Sequence, residues 1–231
     1  MPAPDQSDEH AKTKPPAATL GVEGMFAGTV RLGSVSSGYD SSSRAGLAYG
    51  GGLFLSPSRS WAIGLSYAYG VAARENFNPT VDDSSGSMER RLQTLAANVR
   101  IYPLRNDTIG LWGGLMLGGA WQTATVSGTS SPTQPSAVGK SYRSEGGPNG
   151  GLALGLGVGM DYDISSDVAL LTSVHFTTYR LTSDLLDGDS APLVPGIGNT
   201  SQLDLRVAFQ YRFDLSSTFS GKGPNVQAGS L

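Results

Sequence analysis

Apolar residues at every second position, held for six or seven pairs at a stretch and repeated along the chain, constrain this fold more than any other feature. Trp61, Ile63, Leu65, Tyr67, Tyr69 and Val71 alternate with Ala62, Gly64, Ser66, Ala68, Gly70 and Ala72. Leu152, Leu154, Leu156, Val158, Met160, Tyr162 and Ile164 alternate with Gly151, Ala153, Gly155, Gly157, Gly159, Asp161 and Asp163. Leu203, Leu205, Val207, Phe209, Tyr211 and Phe213 alternate with Gln202, Asp204, Arg206, Ala208, Gln210 and Arg212. A period of two is the mark of a β-strand, because successive side chains point to opposite faces.

Five further segments keep the period with gaps. Their apolar positions are Leu20, Val22, Phe26 and Val30; Leu47, Tyr49, Leu53 and Leu55; Leu95, Ala97, Val99 and Ile101; Ile109, Leu111, Leu115, Leu117 and Trp121; and Val168, Leu170, Val174 and Phe176. Each segment is expected to run about 9–11 residues or slightly more, the length of a tilted membrane strand. Ser56-Pro57-Ser58-Arg59, Leu104-Arg105-Asn106-Asp107 and Ser165-Ser166-Asp167 read as tight turns. Long links rich in Gly, Ser, Pro and Asp fall at roughly 33–44, 73–91, 127–149 and 182–201. Long and short connections in strict alternation predict an all-β, eight-stranded antiparallel up-and-down barrel with both termini at one end. The barrel is expected over 18–215, after a Pro-rich flexible segment at 1–17 and before a short tail at 216–231.

Composition removes several alternatives. There is no cysteine, hence no disulfide framework, thiolate metal site or cysteine nucleophile. A net charge of −3 provides no basic face for nucleic acid. No run of 18 apolar residues is present, so helical membrane spans are excluded. Met1-Pro2-Ala3-Pro4-Asp5 opens a polar segment, so an exported chain is expected to be numbered here from its mature start.

An eight-stranded sheet closes either as a soluble barrel, apolar inside, or as a membrane barrel, apolar outside. Volume separates the two. The apolar faces carry about forty large side chains, whereas an eight-stranded barrel is only just wide enough for ordinary side-chain filling. Gly, Ala, Ser and a few long polar residues fit that interior; the apolar face therefore points outward, where only lipid can cover it. Trp61, Tyr162, Tyr211 and Phe213 then fall near one rim, Tyr69 and Trp121 near the other, as in a pair of aromatic girdles.

With this pattern the chain resembles the small eight-stranded outer-membrane barrels, the family of the OmpA transmembrane domain, OmpX and OmpW. The segment Leu203 to Phe213 resembles the terminal strand that the outer-membrane assembly machinery reads, although here the chain continues past Phe213. The resemblance implies a bacterial outer-membrane location with periplasmic termini and extracellular long loops. It also implies contact with outer-membrane lipid and lipopolysaccharide, the assembly machinery during biogenesis, and other envelope proteins.

The inward parity collects Glu23, Asp161, Asp163 and Asp204 with Arg31, Arg100, Arg206 and Arg212. Charges in a narrow lumen must be paired or solvated. Counting from the short-turn rim sets Glu23, Arg100, Asp161 and Arg212 at similar depth, which predicts a cross-barrel ion-pair network with both arginines as bidentate donors; Asp204 and Arg206 extend it. The resemblance implies that such a network gates passage, and the other reading is packing and charge satisfaction of the lumen. Inward glycines, among them Gly50, Gly52, Gly114, Gly118, Gly155, Gly157 and Gly159, leave room for water and keep a narrow leak open as an expectation.

Catalysis and metal binding find little support. His175 and Ser173 share the inward face, but no acid is recognisably placed to orient the histidine as nucleophilic catalysis requires. Asp82-Asp83 and Asp187-Gly188-Asp189 match no calcium loop, and Gly150 to Gly159 is followed by no phosphate-binding Lys-Ser/Thr. No enzyme activity, cofactor or metal is expected. The expected role is a structural or interaction scaffold presenting its loops, with 127–149 (Lys140, Tyr142, Arg143) as the preferred contact surface. A narrow channel is the alternative, and a lipid-modifying enzyme a distant third.

Overall fold

A computed structural model describes residues 18–32, 45–72, 75–77, 85–129, 141–181, 185–186, 194–195 and 199–215. Eight strands form the wall: β1 Thr19–Leu32, β2 Ala45–Ser58, β3 Trp61–Ala72, β4 Ser85–Arg105, β5 Ile109–Thr129, β6 Ser141–Asp163, β7 Val168–Leu181 and β8 Asn199–Asp214. Each pairs antiparallel with its sequence neighbours. The pairing of β1 with β8, from Thr19 opposite Asp214 to Leu32 opposite Ser201, closes the sheet into a barrel. Closure removes the exposed edges that an open sheet would present, and satisfies every wall strand on both sides, which a membrane interior demands. Among the described residues there is no helix.

All tight connections lie at one end. Asn106 Oδ1 accepts from the backbone N–H groups of Thr108 (2.8 Å) and Ile109 (2.7 Å), an Asx turn that reverses β4 into β5. Ser165 Oγ accepts from Val168 N–H at 3.1 Å in the turn before β7. Arg59 and Asp107 join two of these turns through a 2.9 Å ion pair. The Leu215 N–H donates to the Ala18 carbonyl at 2.9 Å, fastening the first and last strands together beside the same rim.

Burial is inverted relative to a soluble protein. Phe26 is 75% exposed and Leu47 71%, whereas the inward Ala153 and Asp161 are 0% and 1% exposed. Outward apolar side chains are exposed on every strand of the wall. Soluble monomers rarely expose contiguous apolar patches beyond a few hundred Å², so this surrounding belt is a lipid-facing surface. Every face assignment made from the alternation holds among the described residues, including β7, whose Leu171, His175 and Thr177 are buried inward.

Strand length departs from expectation. β4, β5 and β6 have 21, 21 and 23 residues. Parts of the anticipated links 73–91 and 127–149 are wall, paired from Ser85 opposite Thr129 to Thr129 opposite Ser141. The alternation fades there because the extension rises beyond the apolar belt. The ladder continues there without a hydrophobic period. The segments 1–17, 33–44, 73–74, 78–84, 130–140, 182–184, 187–193, 196–198 and 216–231 lie outside the described residues, and with them Asp82-Asp83, Asp187-Gly188-Asp189 and Lys140.

Candidate functional site

Among the described residues, chemically active side chains converge in the lumen. Around the wall Glu23 on β1 lies opposite Gly52, Gly52 opposite Ser66, and Ser66 opposite Ala96 on β4. Arg100 stands two inward positions below Ala96, toward the short-turn end. Strand tilt supplies that offset, and the two side chains meet across the barrel. The Arg100 guanidinium donates through Nη1 and Nη2 to the two Glu23 oxygens at 2.5 and 2.8 Å. This is the bidentate geometry in which Arg is most effective.

The network then turns back toward the seam. Gln210 Nε2 donates to Glu23 Oε1 at 2.8 Å, and Gln210 Oε1 accepts from Arg212 Nε at 2.6 Å. Arg212 Nη1 donates to Asp163 at 2.6 Å, while Nη2 lies 3.5 Å from Asp161. Arg212 is thus shared between two carboxylates and an amide rather than bidentate to one acid, which differs from expectation. Asp161 receives Tyr102 O–H at 3.0 Å and Trp112 Nε1–H at 2.8 Å. Glu23, Arg100, Asp161 and Arg212 are accordingly linked at one level through Gln210, Tyr102 and Trp112. Asp204 and Arg206 form a separate pair at 2.7 Å nearer the long-loop end, with Gln202 donating to the same carboxylate at 2.6 Å.

Three inward aromatics, Phe54, Trp112 and Tyr179, escaped the sequence reading. Phe54 (2% exposed) and Trp112 (4%) sandwich Arg100, with ring centroids 3.8 and 4.6 Å from its central carbon. Cation–π contacts of a desolvated arginine strengthen the pair. Parity alone places Phe54 and Trp112 inward, so the signal lies in the period of two.

Several inward glycines are recesses for aromatic rings. A Cβ on Gly64 would sit 2.5 Å from a Phe54 ring carbon, and one on Gly52 2.8 Å from another. A Cβ on Gly159 would meet Trp112 at 2.5 Å, and one on Gly157 would meet the His175 ring at 2.7 Å. At this level aromatic rings occupy the space beside these glycines. Among the described residues the lumen includes small cavities of about 40, 30 and 10 Å³.

His175 Nε2 lies 3.1 Å from Ser173 Oγ, and its ring packs 5.7 Å from Trp112. Asp204 stands opposite His175 in register, but its oxygens are engaged by Gln202 and Arg206. Among the described residues no group of three or more His, Asp or Glu side chains could hold a metal.

On the outer surface Trp61, Tyr162, Tyr211 and Phe213 lie near the short-turn rim, each exposed, with Tyr211 and Phe213 edge to face at 4.9 Å. Tyr69 packs on Tyr49 at 5.3 Å, and Trp121 follows Gln93 in the register that runs through Tyr69.

A closed antiparallel barrel of eight strands, apolar outside and charged within, defines a small membrane-spanning β-barrel. Among solved structures it is similar in fold to Neisserial surface protein A (TM-score 0.49, 12% identity, covering 85% of this chain and 97% of that one). It is also similar to Ail, the attachment invasion locus protein of Yersinia pestis (TM-score 0.43, 12% identity, 86% and 99% covered), and to the outer membrane protein OprG from Pseudomonas aeruginosa (TM-score 0.44, 17% identity, 87% and 98% covered). No protein-family model matches the chain, and no curated protein matches it.

Proposed function

We propose that the chain is an integral outer-membrane barrel that serves as a scaffold, anchoring and presenting the connections at its long-loop end, and does not work as an open pore or an enzyme. The observation that carries this reading is the filled lumen: Glu23, Arg100, Phe54, Trp112, Asp161 and Arg212 are all buried at one level. The wall built by β4, β5 and β6 beyond the belt supports a platform on that side. In this reading the short turns and both termini are periplasmic and the long connections extracellular. Lipopolysaccharide and outer-membrane lipid meet the belt, envelope proteins meet the platform, and the assembly machinery reads the outward row ending at Phe213.

A second reading, a gated narrow channel, is favoured by one observation. Gln210 already donates to Glu23 beside Arg100 and accepts from Arg212, so a donor stands ready if Arg100 leaves its carboxylate. Planar-bilayer recordings separate the two. The scaffold predicts silent bilayers for the wild type and for Arg100→Ala, because Phe54 and Trp112 still fill the section. Discrete steps in the wild type that enlarge in Arg100→Ala would replace the scaffold by the gate.

A further inference from the structure

A cavity of about 40 Å³ lies in the long-loop half of the lumen, above the network and apart from it. Such a volume takes roughly three water-sized groups, the scale of a small oxyanion. One side of its wall is made of small residues, among them Ala27, Gly46, Ala48 and Ala68, which keep the space open. The remaining wall brings Arg31, Arg90 and Arg206 together with a single carboxylate, Asp204.

Arg206 is the group that points to a ligand. Its Nη2 is held by Asp204 at 2.7 Å, and its side chain is 11% exposed. Its Nε is buried and has no hydrogen-bond partner among the described residues. Arg206 lines both this cavity and the one beneath it, so it forms the floor of the upper space. Asp204 cannot turn to serve Nε as well, because its other oxygen accepts from Gln202 at 2.6 Å. Buried donors are satisfied almost without exception, and a guanidinium edge prefers the paired oxygens of a carboxylate or phosphoryl group. Thr29, Ser66 and Thr94 add hydroxyl groups to the same wall. Arg31 and Arg90 bring positive charge while engaged in contacts of their own.

We infer that this vestibule binds a small oxyanion, a carboxylate or a phosphoryl group, with Arg206 as its principal donor. The inference is independent of whether the barrel is a scaffold or a gate, since the site lies above the filled section.

The test is calorimetric titration of the full refolded chain in zwitterionic detergent, with inorganic phosphate in one arm and acetate in the other. Ionic strength is held constant with sodium chloride. Saturable binding of either anion is expected, and the arm that binds distinguishes a phosphoryl from a carboxylate ligand. Arg206→Gln is expected to weaken it by roughly tenfold or more, the loss of one charge-assisted contact. Arg59→Gln, in a turn at the opposite end, is expected to bind as the wild type does. Heat-modifiable gel mobility certifies that each variant is folded, and Arg206→Lys, which keeps the charge without Nε, serves if Arg206→Gln does not fold. Chloride-like heats in both arms, or undiminished binding in the folded Arg206 variant, would overturn the inference.

Discussion

At the scale of single residues, the lumen is held by groups that tolerate no loss of a partner. Glu23 and Arg100 are each 8% exposed, and their ion pair is bidentate across the barrel. Removing one member of a buried pair strands the other charge. Glu23→Ala is therefore expected to lower stability by about 3–5 kcal/mol, read by urea unfolding of the barrel in detergent. An unchanged midpoint would mean that Gln210 and Asp161 hold Arg100 adequately on their own. Glycine positions carry the complementary constraint. Gly64→Val and Gly159→Val drive branched side chains into the Phe54 and Trp112 rings, and each is expected to cost about 1–3 kcal/mol or more through overpacking. Gly24→Val, on the outward face where a Cβ would meet nothing within 4 Å, is the control and is expected to fold with wild-type stability in the same unfolding assay.

Elements show how much of the structure was legible beforehand. A period of two reveals strands wherever lipid lies outside and small or polar residues lie inside, and it gave each strand's face correctly, down to Leu171 and His175 on β7. It failed where that contrast ends. The upper parts of β4, β5 and β6 continue the ladder without alternation, so no hydrophobic period marks them as strand. Depth counting brought Glu23, Arg100, Asp161 and Arg212 to one level, because barrel tilt offsets opposite strands by a regular amount. It could not reveal Gln210 as the bridge, nor Phe54 and Trp112 as the fill, because these follow from the recesses at Gly21, Gly64 and Gly159 on neighbouring strands. The belt itself makes a prediction of strand scale. Leu156, 58% exposed in the middle of the outward row of β6, is expected to lose about 2–4 kcal/mol on replacement by Arg at mid-membrane depth, measured by reversible folding into phospholipid vesicles. Arg91, which is outward on β4 beyond Leu95 and paired with Glu89 at 3.0 Å, is expected to change stability by less than about 1 kcal/mol as Arg91→Ala. Equal losses at the two positions would place the belt boundary elsewhere.

As a whole, the molecule is an inside-out barrel whose inward side chains are buried at one level. The chain carries three tryptophans, and they divide between the two sides of the wall: Trp61 and Trp121 outward, Trp112 inward against Arg100 and Asp161. Brominated acyl chains quench tryptophan only on contact. The most direct measurement is therefore fluorescence in vesicles of brominated lipid, comparing a variant that keeps only Trp61 with one that keeps only Trp112. Trp61 is expected to be strongly quenched and Trp112 to retain its emission. Quenching of Trp112 equal to that of Trp61 would contradict the assignment of faces and, with it, the filled lumen.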